Sequence, residues 1–522
     1  MPEEPTSTIL AIDLGTGGPK VSVIDQRGGV VASAFESTPL IHTDDGGIEQ
    51  DADGWWDAVC AASKAAMALL PGGAARPHAV AVTAQWTSTV AIDADCRPVM
   101  NAVSWMDGRG ASYAKEAVGP GPRVSGYNAR KIARWIRQTG GAPSLQGHDP
   151  VGQILMIADR YPEAYERAAW FVEPGDFLTA RMTGEVATAG ETATMCWGTD
   201  TRNVDQIQYD DSLLELSGLS RKTLAPIVES GSTVGELLPA RAAELGVDVV
   251  PVIASTPDIM SAAVGSGAVA DDAMHIYFGT SAWLSGHVPY KRTDIFHNIA
   301  TLPSSIRGRY LVCTEQQTAG RSLEHLRDSL LGAGETDYEV LIREAEQSGA
   351  GSGGVIFTPW LNGDRTPIDD SDTRASYTNL SLRTTRGDLV RATLEGVAMN
   401  VRWMHHYTEK LMKTRIDDIA IIGGGAVADL WCQTVADVLD RQIRRIEQPR
   451  QANTRGAALL AAVGLGEIAI GDVGQLVRSD RTFTPDRATR SLHDERFDEF
   501  KSFYKANKKM FRRLNAGNEE NA

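Results

Sequence analysis

The sequence predicts an α/β protein made of two similar domains facing each other across a cleft, on three observations. Strand-like apolar runs alternate with longer helical ones along the chain, the pattern of a sheet flanked by helices. A strand, a glycine-rich turn and a second strand open the chain at Ile9 to Asp25, "ILAIDLGTGGPKVSVID". The same device returns at Tyr277 to Leu284, "YFGTSAWL", so that Gly15-Thr16 recurs as Gly279-Thr280. The length, 522 residues of which 42% are hydrophobic, suffices for two or more cores. A chance repeat of a common dipeptide is the alternative reading of the echo.

In chain order, "ILAID" and "KVSVID" read as the arms of a hairpin. "WWDAVCAASKAAMALL" is alanine-rich and helical, and "AVAVTA" returns to strand. "VVPVIAS", "MHIYFGTSAWLSGHV" and "IDDIAIIGGG" are strand-like, each followed by a turn or a helix. "DLVRATLEGVAMNVRWMHHYTEKLMK" is an amphipathic helix with Asp388 as its expected N-cap. Phe497, Phe500, Tyr504, Phe511 and Leu514 mark a last helix, and "NAGNEENA" is an expected disordered tail. The small-residue stretch "VGSGAVADDA" near residues 264–273 is the expected boundary. It divides the chain into domains 1–268 and 269–490, with a C-terminal helix and tail at 491–522.

A net charge of −16 argues against nucleic acid or an anionic membrane as partner. Five scattered cysteines form no C-x-x-C pair, so neither a disulfide framework nor a structural zinc site is expected, and a reducing compartment fits. The acidic start, "MPEEPTST", carries no export signal, and no apolar run is long enough to span a membrane. A cytoplasmic protein is expected, with the choice between monomer and homodimer left open.

The opening glycine loop looks like a phosphate cradle, yet the two familiar kinds fail. The lysine-bearing phosphate loop wants Gly before its lysine and Ser or Thr after it, where this chain has Pro19 and Val21. The dinucleotide fingerprint ends on glycine where this chain has Lys20, and a strand-like run follows instead of a helix. Asp13 is either a turn aspartate bonded to backbone amides or a carboxylate holding Mg²⁺ through water. On the second reading the turn amides and the Thr16 hydroxyl take phosphate oxygens, and Lys20 offsets their charge. Asp258, in "VIASTPDIMSAAVGSGA", is either a helix N-cap or a general base. The glycines of "IIGGGAVADLW" suit a nucleotide at a helix start, or simply a tight strand-to-helix turn. Trp55-Trp56, Trp86, Trp105 and Trp360 lie near Gln85, Asp107, Arg109 and Asn362. Such a mixture suits a sugar, although a tryptophan at any one position is more often core.

Taken in order, these segments resemble the FGGY family of carbohydrate kinases, its xylulokinase-like branch in particular. The resemblance runs from about Ile9 to Gly466 through "DLGTGGPK", "GGIEQDADGWW", "AVSWMDGR", "GDFLTARMTGE" and "TPDIMSAAVGSGA". It continues through "FGTSAWL", "PWLNGDRTP", "LVRATLEGVAMNVR" and the "GGGAVADLW" to "RGAALLAAVGLG" segment. It implies a two-domain actin/hexokinase-like (ribonuclease H-like) sugar kinase fold closing over ATP-Mg²⁺ and a small sugar or polyol. Carried over by residue, Asp258 is the general base and Asp13 the Mg²⁺-associated carboxylate. Gly15, Thr16, Lys20, Gly279 and Thr280 line the phosphates, while Gly424, Gly425 and Ala426 approach the adenosine. Gln85, Trp86 and Asp107 face the sugar.

The chain departs from the family's pattern around the sugar. "AQWTST", Ala84 to Thr89, stands where the family carries G-Q-M-H-G, so Thr87 takes the histidine's place and Trp86 the methionine's. Gln153 stands where many relatives have lysine, Asp364 for glutamate, and Thr454-Arg455 for a small apolar pair. None of these substitutions falls within the phosphate hairpins or at Asp258, so the sequence supports phosphoryl transfer more firmly than any one sugar. A four- or five-carbon ketose or polyol is the expected range, and a chaperone-like or other non-kinase ATPase on the same fold is the alternative.

Overall fold

The computed structural model describes residues 7–515; the acidic start and the terminal "NAGNEENA" lie outside them except for Ser7, Thr8 and Asn515. In chain order the first half supplies β1 (Thr8–Gly15), β2 (Gly18–Asp25), β3 (Val30–Phe35), α1 (Ala52–Ala68), β4 (Pro77–Ala84), α2 (Pro150–Arg160) and α3 (Pro174–Thr183). It continues with β5 (Thr233–Glu236), β6 (Pro251–Ile253) and α4 (Asp258–Gly265). The second half supplies β7 (Met274–Phe278), β8 (Ala282–Val288), β9 (Tyr310–Cys313), α5 (Arg386–Met412), β10 (Asp418–Ile422) and α6 (Asp429–Leu439). It ends with β11 (Gln442–Ile446), α7 (Ala452–Gly464), β12 (Ser479–Phe483) and α8 (Arg490–Asn515).

The two halves build the same sheet twice. In the first, the order is β5-β6-β4-β1-β2-β3, with β1-β2, β2-β3 and β5-β6 antiparallel and β1-β4 and β4-β6 parallel. In the second, the path β12-β11-β10-β7-β8-β9 repeats every one of those orientations. Two further strands, Ile299–Pro303 and Thr293–Asp294, extend the second sheet beyond β9. The repeat places the Gly15-Thr16 and Gly279-Thr280 turns at equivalent ends of β1 and β7.

The unbroken apolar run of β1 follows from burial on both faces. Leu10, Ile12 and Leu14 pack with Trp55, Trp56 and Val59 of α1, so both tryptophans are core. Ile9 and Ala11 pack on the other face with Ala457, Ala458, Ala461 and Ala462 of α7. That helix follows β11 of the second sheet but lies on the first, and it crosses α4, tying the halves together.

Helix α5 begins earlier than the expected cap. Thr385 is its N-cap and Asp388 closes a capping box, its carboxylate accepting from the Thr385 amide at 2.8 Å. Helix α8 likewise starts at Arg490 and packs Phe497 and Phe500 into the second core, where Trp360 also lies.

Candidate active site

The candidate site is built on the two Gly-Thr turns and the start of α4, where the charges of Asp13 and Asp258 reach each other and Tyr277, two residues before the second turn. Asp13 is the penultimate core position of β1, paired in register with Lys20 across the hairpin. Its carboxylate is almost fully buried, yet its contacts are long: 3.8 Å to Lys20 Nζ and 3.5 Å to Asn453 Nδ2. Burial raises its pKa, and the nearby Lys20 charge offsets some of that rise. Lys20 also donates to the Arg450 carbonyl at 2.8 Å, which joins β2 to the second half of the chain. Asn453, the second partner of Asp13, comes from α7 and carries no local motif that would have marked it.

Asp258 opens α4, half-buried, with Oδ1 accepting from the Ile259 amide at 2.7 Å. Pro257 stands at the N-cap instead, so Asp258 lies one position inside the helix. Burial first, then the charge of Asp13, lifts its pKa to about 7, with Glu315 adding to the rise. A carboxylate at that value can accept a proton near neutrality.

The second turn leans on its own strand. A Cβ on Gly279 would meet the Tyr277 ring at 2.4 Å, so any side chain there would displace that ring, while Thr280 is exposed. The glycine triplet divides its roles similarly. A Cβ at Gly423 would lie 2.3 Å from the Phe278 carbonyl oxygen, and one at Gly425 would lie 3.0 Å from the Phe278 and Trp431 side chains. Gly424 is exposed, with nothing within 4 Å of a Cβ, so its backbone is open to a ligand. The Ala426 side chain is core.

A closed hydrogen-bond ring joins the first turn to the Ala84–Thr89 segment. Thr16 Oγ1 donates to Gln85 Oε1 at 2.9 Å, Gln85 Nε2 to Gln50 Oε1 at 2.8 Å, and Gln50 Nε2 to the Thr16 carbonyl at 3.0 Å. Trp105 Nε1 donates to the Thr16 hydroxyl at 3.0 Å. The single hydroxyl proton of Thr16 is thus committed to Gln85, which leaves backbone amides as the donors this residue would offer a phosphate.

Asp107 is engaged by protein partners on both oxygens. It is 0% exposed, its oxygens accepting from the Ile48 amide at 2.9 Å, the Arg109 amide at 2.8 Å and Arg109 Nη2 at 2.7 Å. It anchors Arg109, which also pairs with Glu49 and Asp45. Trp86 does lie between the halves, packed near Met260 of α4 and Leu311 of β9, with Nε1 donating to the Thr192 carbonyl at 3.1 Å. Thr87 next to it has φ 66°, a left-handed conformation that a β-branched residue rarely takes. Two residues that sequence reasoning did not assign to this job hold the turn. Glu173 accepts from the Ser88 amide at 3.2 Å, and Gln153 Nε2 donates to the Thr87 carbonyl at 3.0 Å while its Oε1 accepts from Thr89 at 2.6 Å. Asp364 is buried, bonded to the Gln317 amide at 3.0 Å and Asn400 Nδ2 at 2.7 Å.

This arrangement matches known proteins along nearly the whole chain. Models described as the FGGY family of carbohydrate kinases, N-terminal domain and C-terminal domain, match residues 8–265 and 274–465. A xylulose kinase of Staphylococcus epidermidis is 26% identical over 509 residues, 96% of this chain and 97% of that protein. One of Bacillus subtilis is 25% identical over 500 residues, 95% and 96% of the two chains. The crystal structure of a ligand-bound xylulose kinase from Lactobacillus acidophilus shares the fold with a TM-score of 0.83 at 21% identity, covering 97% of this chain and 100% of that one. The chain belongs to the FGGY family of carbohydrate kinases, phosphotransferases for which ATP is a substrate.

Proposed function

We propose that this kinase phosphorylates a four- or five-carbon ketose or polyol from Mg-ATP, with Asp258 as general base. The observation that carries the reading is Asp258, lifted to a pKa of about 7 in part by the charge of Asp13, in a site built on two equivalent Gly-Thr turns. The names of its relatives, xylulose kinase and gluconokinase, support a small open-chain or ketose substrate.

In the proposed reaction Asp258 takes the proton of the acceptor hydroxyl as that oxygen bonds the γ-phosphorus. The bond to the β-phosphate oxygen breaks and ADP leaves. Backbone amides of the Gly15-Thr16 and Gly279-Thr280 turns hold phosphate oxygens, Lys20 contributes positive charge, and the bare backbone at Gly424 and Gly425 and that of Ala426 admits the adenosine. Gln85, fixed by the ring through Thr16 and Gln50, and Trp86 shape the sugar side. Catalysis then rests on positioning and charge neutralisation. Mg²⁺ would be held at Asp13 through water, where it would offset phosphate charge. A buried carboxylate with only long protein contacts fits that task, and among the described residues no three ligating side chains cluster into a closed metal cage.

The reading includes a division of the chain at residues 268/269 and a cytoplasmic location. The five cysteines are free, as a reducing compartment requires, and no helix among the described residues is long and apolar enough to cross a membrane.

The test is sugar-dependent ADP release with Mg-ATP across ketopentoses, tetruloses, four- to six-carbon polyols and gluconate. One compound raising turnover far above background identifies the substrate. Peptide-stimulated but sugar-independent turnover would favour the non-kinase alternative instead.

A further inference from the structure

The duplicated sheets place Tyr277 where the first half has Asp13. Asp13-Leu14-Gly15-Thr16 ends β1, and Tyr277-Phe278-Gly279-Thr280 ends β7, with the same neighbours on each side: an antiparallel hairpin arm and a parallel strand. Each side chain stands two residues before its turn. Asp13 faces Lys20 across its hairpin; Tyr277 faces Trp283 across the other.

The phenol is held firmly. Its ring stacks on Trp283 with centroids 4.0 Å apart and planes 7° from parallel. Both rings pack against a core cluster that includes Ala262 and Val264 of α4, the helix that begins at Asp258. The ring edge lies over Gly279, where a Cβ would meet Oη at 2.6 Å, so the hydroxyl sits at the base of the second phosphate turn. Its hydroxyl donates to no group among the described residues and so is free for a ligand. Burial, with the charges of Asp13 and Asp258, pushes its pKa up, so it keeps its proton at neutral pH.

We infer that Tyr277 is a further catalytic residue, its hydroxyl donating a hydrogen bond to an oxygen of the transferring phosphoryl group opposite Asp13. The inference rests on the kinase reading above and deepens it. Two positions made equivalent by duplication divide the work: the carboxylate suits a cation, and the neutral phenol suits the anion that the cation accompanies. Stacking on Trp283 fixes the donor in advance, so it need not reorganise as charge shifts in the transition state. No new proton transfer is required, because the phenol stays protonated throughout.

Tyr277→Phe tests this, since it keeps the stacking and removes only the hydroxyl. Binding of Mg-ADP alone and of Mg-ADP with aluminium fluoride, a mimic of the transferring phosphoryl group, is read by calorimetry. The variant is expected to bind Mg-ADP like wild type but to lose roughly tenfold or more of the tightening that aluminium fluoride brings. With the sugar found active, kcat should fall roughly 10–100-fold while the sugar KM stays unchanged. A variant with full tightening and wild-type kcat overturns the inference alone. A wild-type protein that fails to bind Mg-ADP at all overturns the kinase reading, and this inference with it.

Discussion

Gly265 and Gly456 meet where α4 crosses α7, each pressed against the backbone of the other helix. A Cβ on Gly265 would lie 1.8 Å from the Ala452 carbonyl oxygen, and one on Gly456 would lie 1.8 Å from that of Ser261. Those contacts are backbone, which cannot swing aside as a flexible side chain can. The crossing also joins the helix that presents Asp258 to the helix that presents Asn453 to Asp13, so its spacing sets the spacing of the site.

Gly456→Ala is therefore expected to destabilise the protein by about 3 kcal/mol, the upper end for overpacking, because one methyl must push the α4 and α7 backbones apart. Gly424→Ala gives the contrast. Nothing lies within 4 Å of its Cβ, so thermal unfolding should match wild type while the KM for ATP rises. Thermal melts of both variants, with ATP kinetics for the second, check the pair; equal melting temperatures would remove the crossing as a constraint.

The Thr16-Gln85-Gln50 ring makes a different prediction. Thr16→Val keeps the shape but leaves Gln85 Oε1 and Trp105 Nε1 without their partner, a cost of about 1–3 kcal/mol for buried polar groups. Because Gln85 precedes Trp86, the sugar KM should rise as well. Thr16→Ser retains the hydroxyl and should restore both. Indistinguishable Val and Ser variants would mean that the ring does not position the sugar segment.

How much of this was legible in the sequence depends on the range over which each residue acts. The two hairpins could be read because a Gly-Thr turn between apolar arms is a local pattern, and "ILAIDLG" is continuous because β1 is covered on both faces. The capping box was also local, Thr385 to Asp388, but the apolar run drew attention to its last member rather than its first. The role of Asp107 was not legible. An aspartate beside a tryptophan reads as a sugar contact, and only the fold brings the Ile48 amide and the Arg109 guanidinium onto its two oxygens. Glu173 and Gln153 act on residues 85 and 66 positions away, and neither has a motif. The alanines of α7 signal close packing but not which sheet they cover, so a helix following the second sheet's strand was not expected on the first.

Thr87 should gain from glycine. With φ at 66°, its branched side chain carries a steric cost of about 1–3 kcal/mol that glycine avoids, against about 0.5–1 kcal/mol of added chain entropy. Thr87→Gly is expected to raise the melting temperature, and the sugar KM of the same variant reports whether the lost hydroxyl touched substrate. A lower melting temperature would mean that Glu173 and Gln153 hold the threonine without strain.

A general base at Asp258 predicts a pH dependence. Its pKa of about 7 lies far above that of an unfolded aspartate, about 3.9, so the ionised form that can accept a proton is lost as pH falls through 7. Sugar kcat/KM should drop about tenfold per pH unit below that point, and Asp258→Asn should lower turnover at least about 100-fold with ATP binding little changed. The stability effect has the opposite sign. A raised carboxylate pKa means that ionisation weakens the fold, by an amount that grows as pH rises from about 4 and levels off above about 7. Asp258→Asn should therefore melt higher than wild type at pH 8 and little differently at pH 3, where Asp258 is neutral in the folded protein and nearly so in the unfolded chain. Near-normal phosphorylation by this variant, or a wild-type profile without an acid limb near 7, would take the proton-accepting role away from Asp258. A variant that is dead yet more stable at pH 8 is the combination that a poised base with a raised pKa requires.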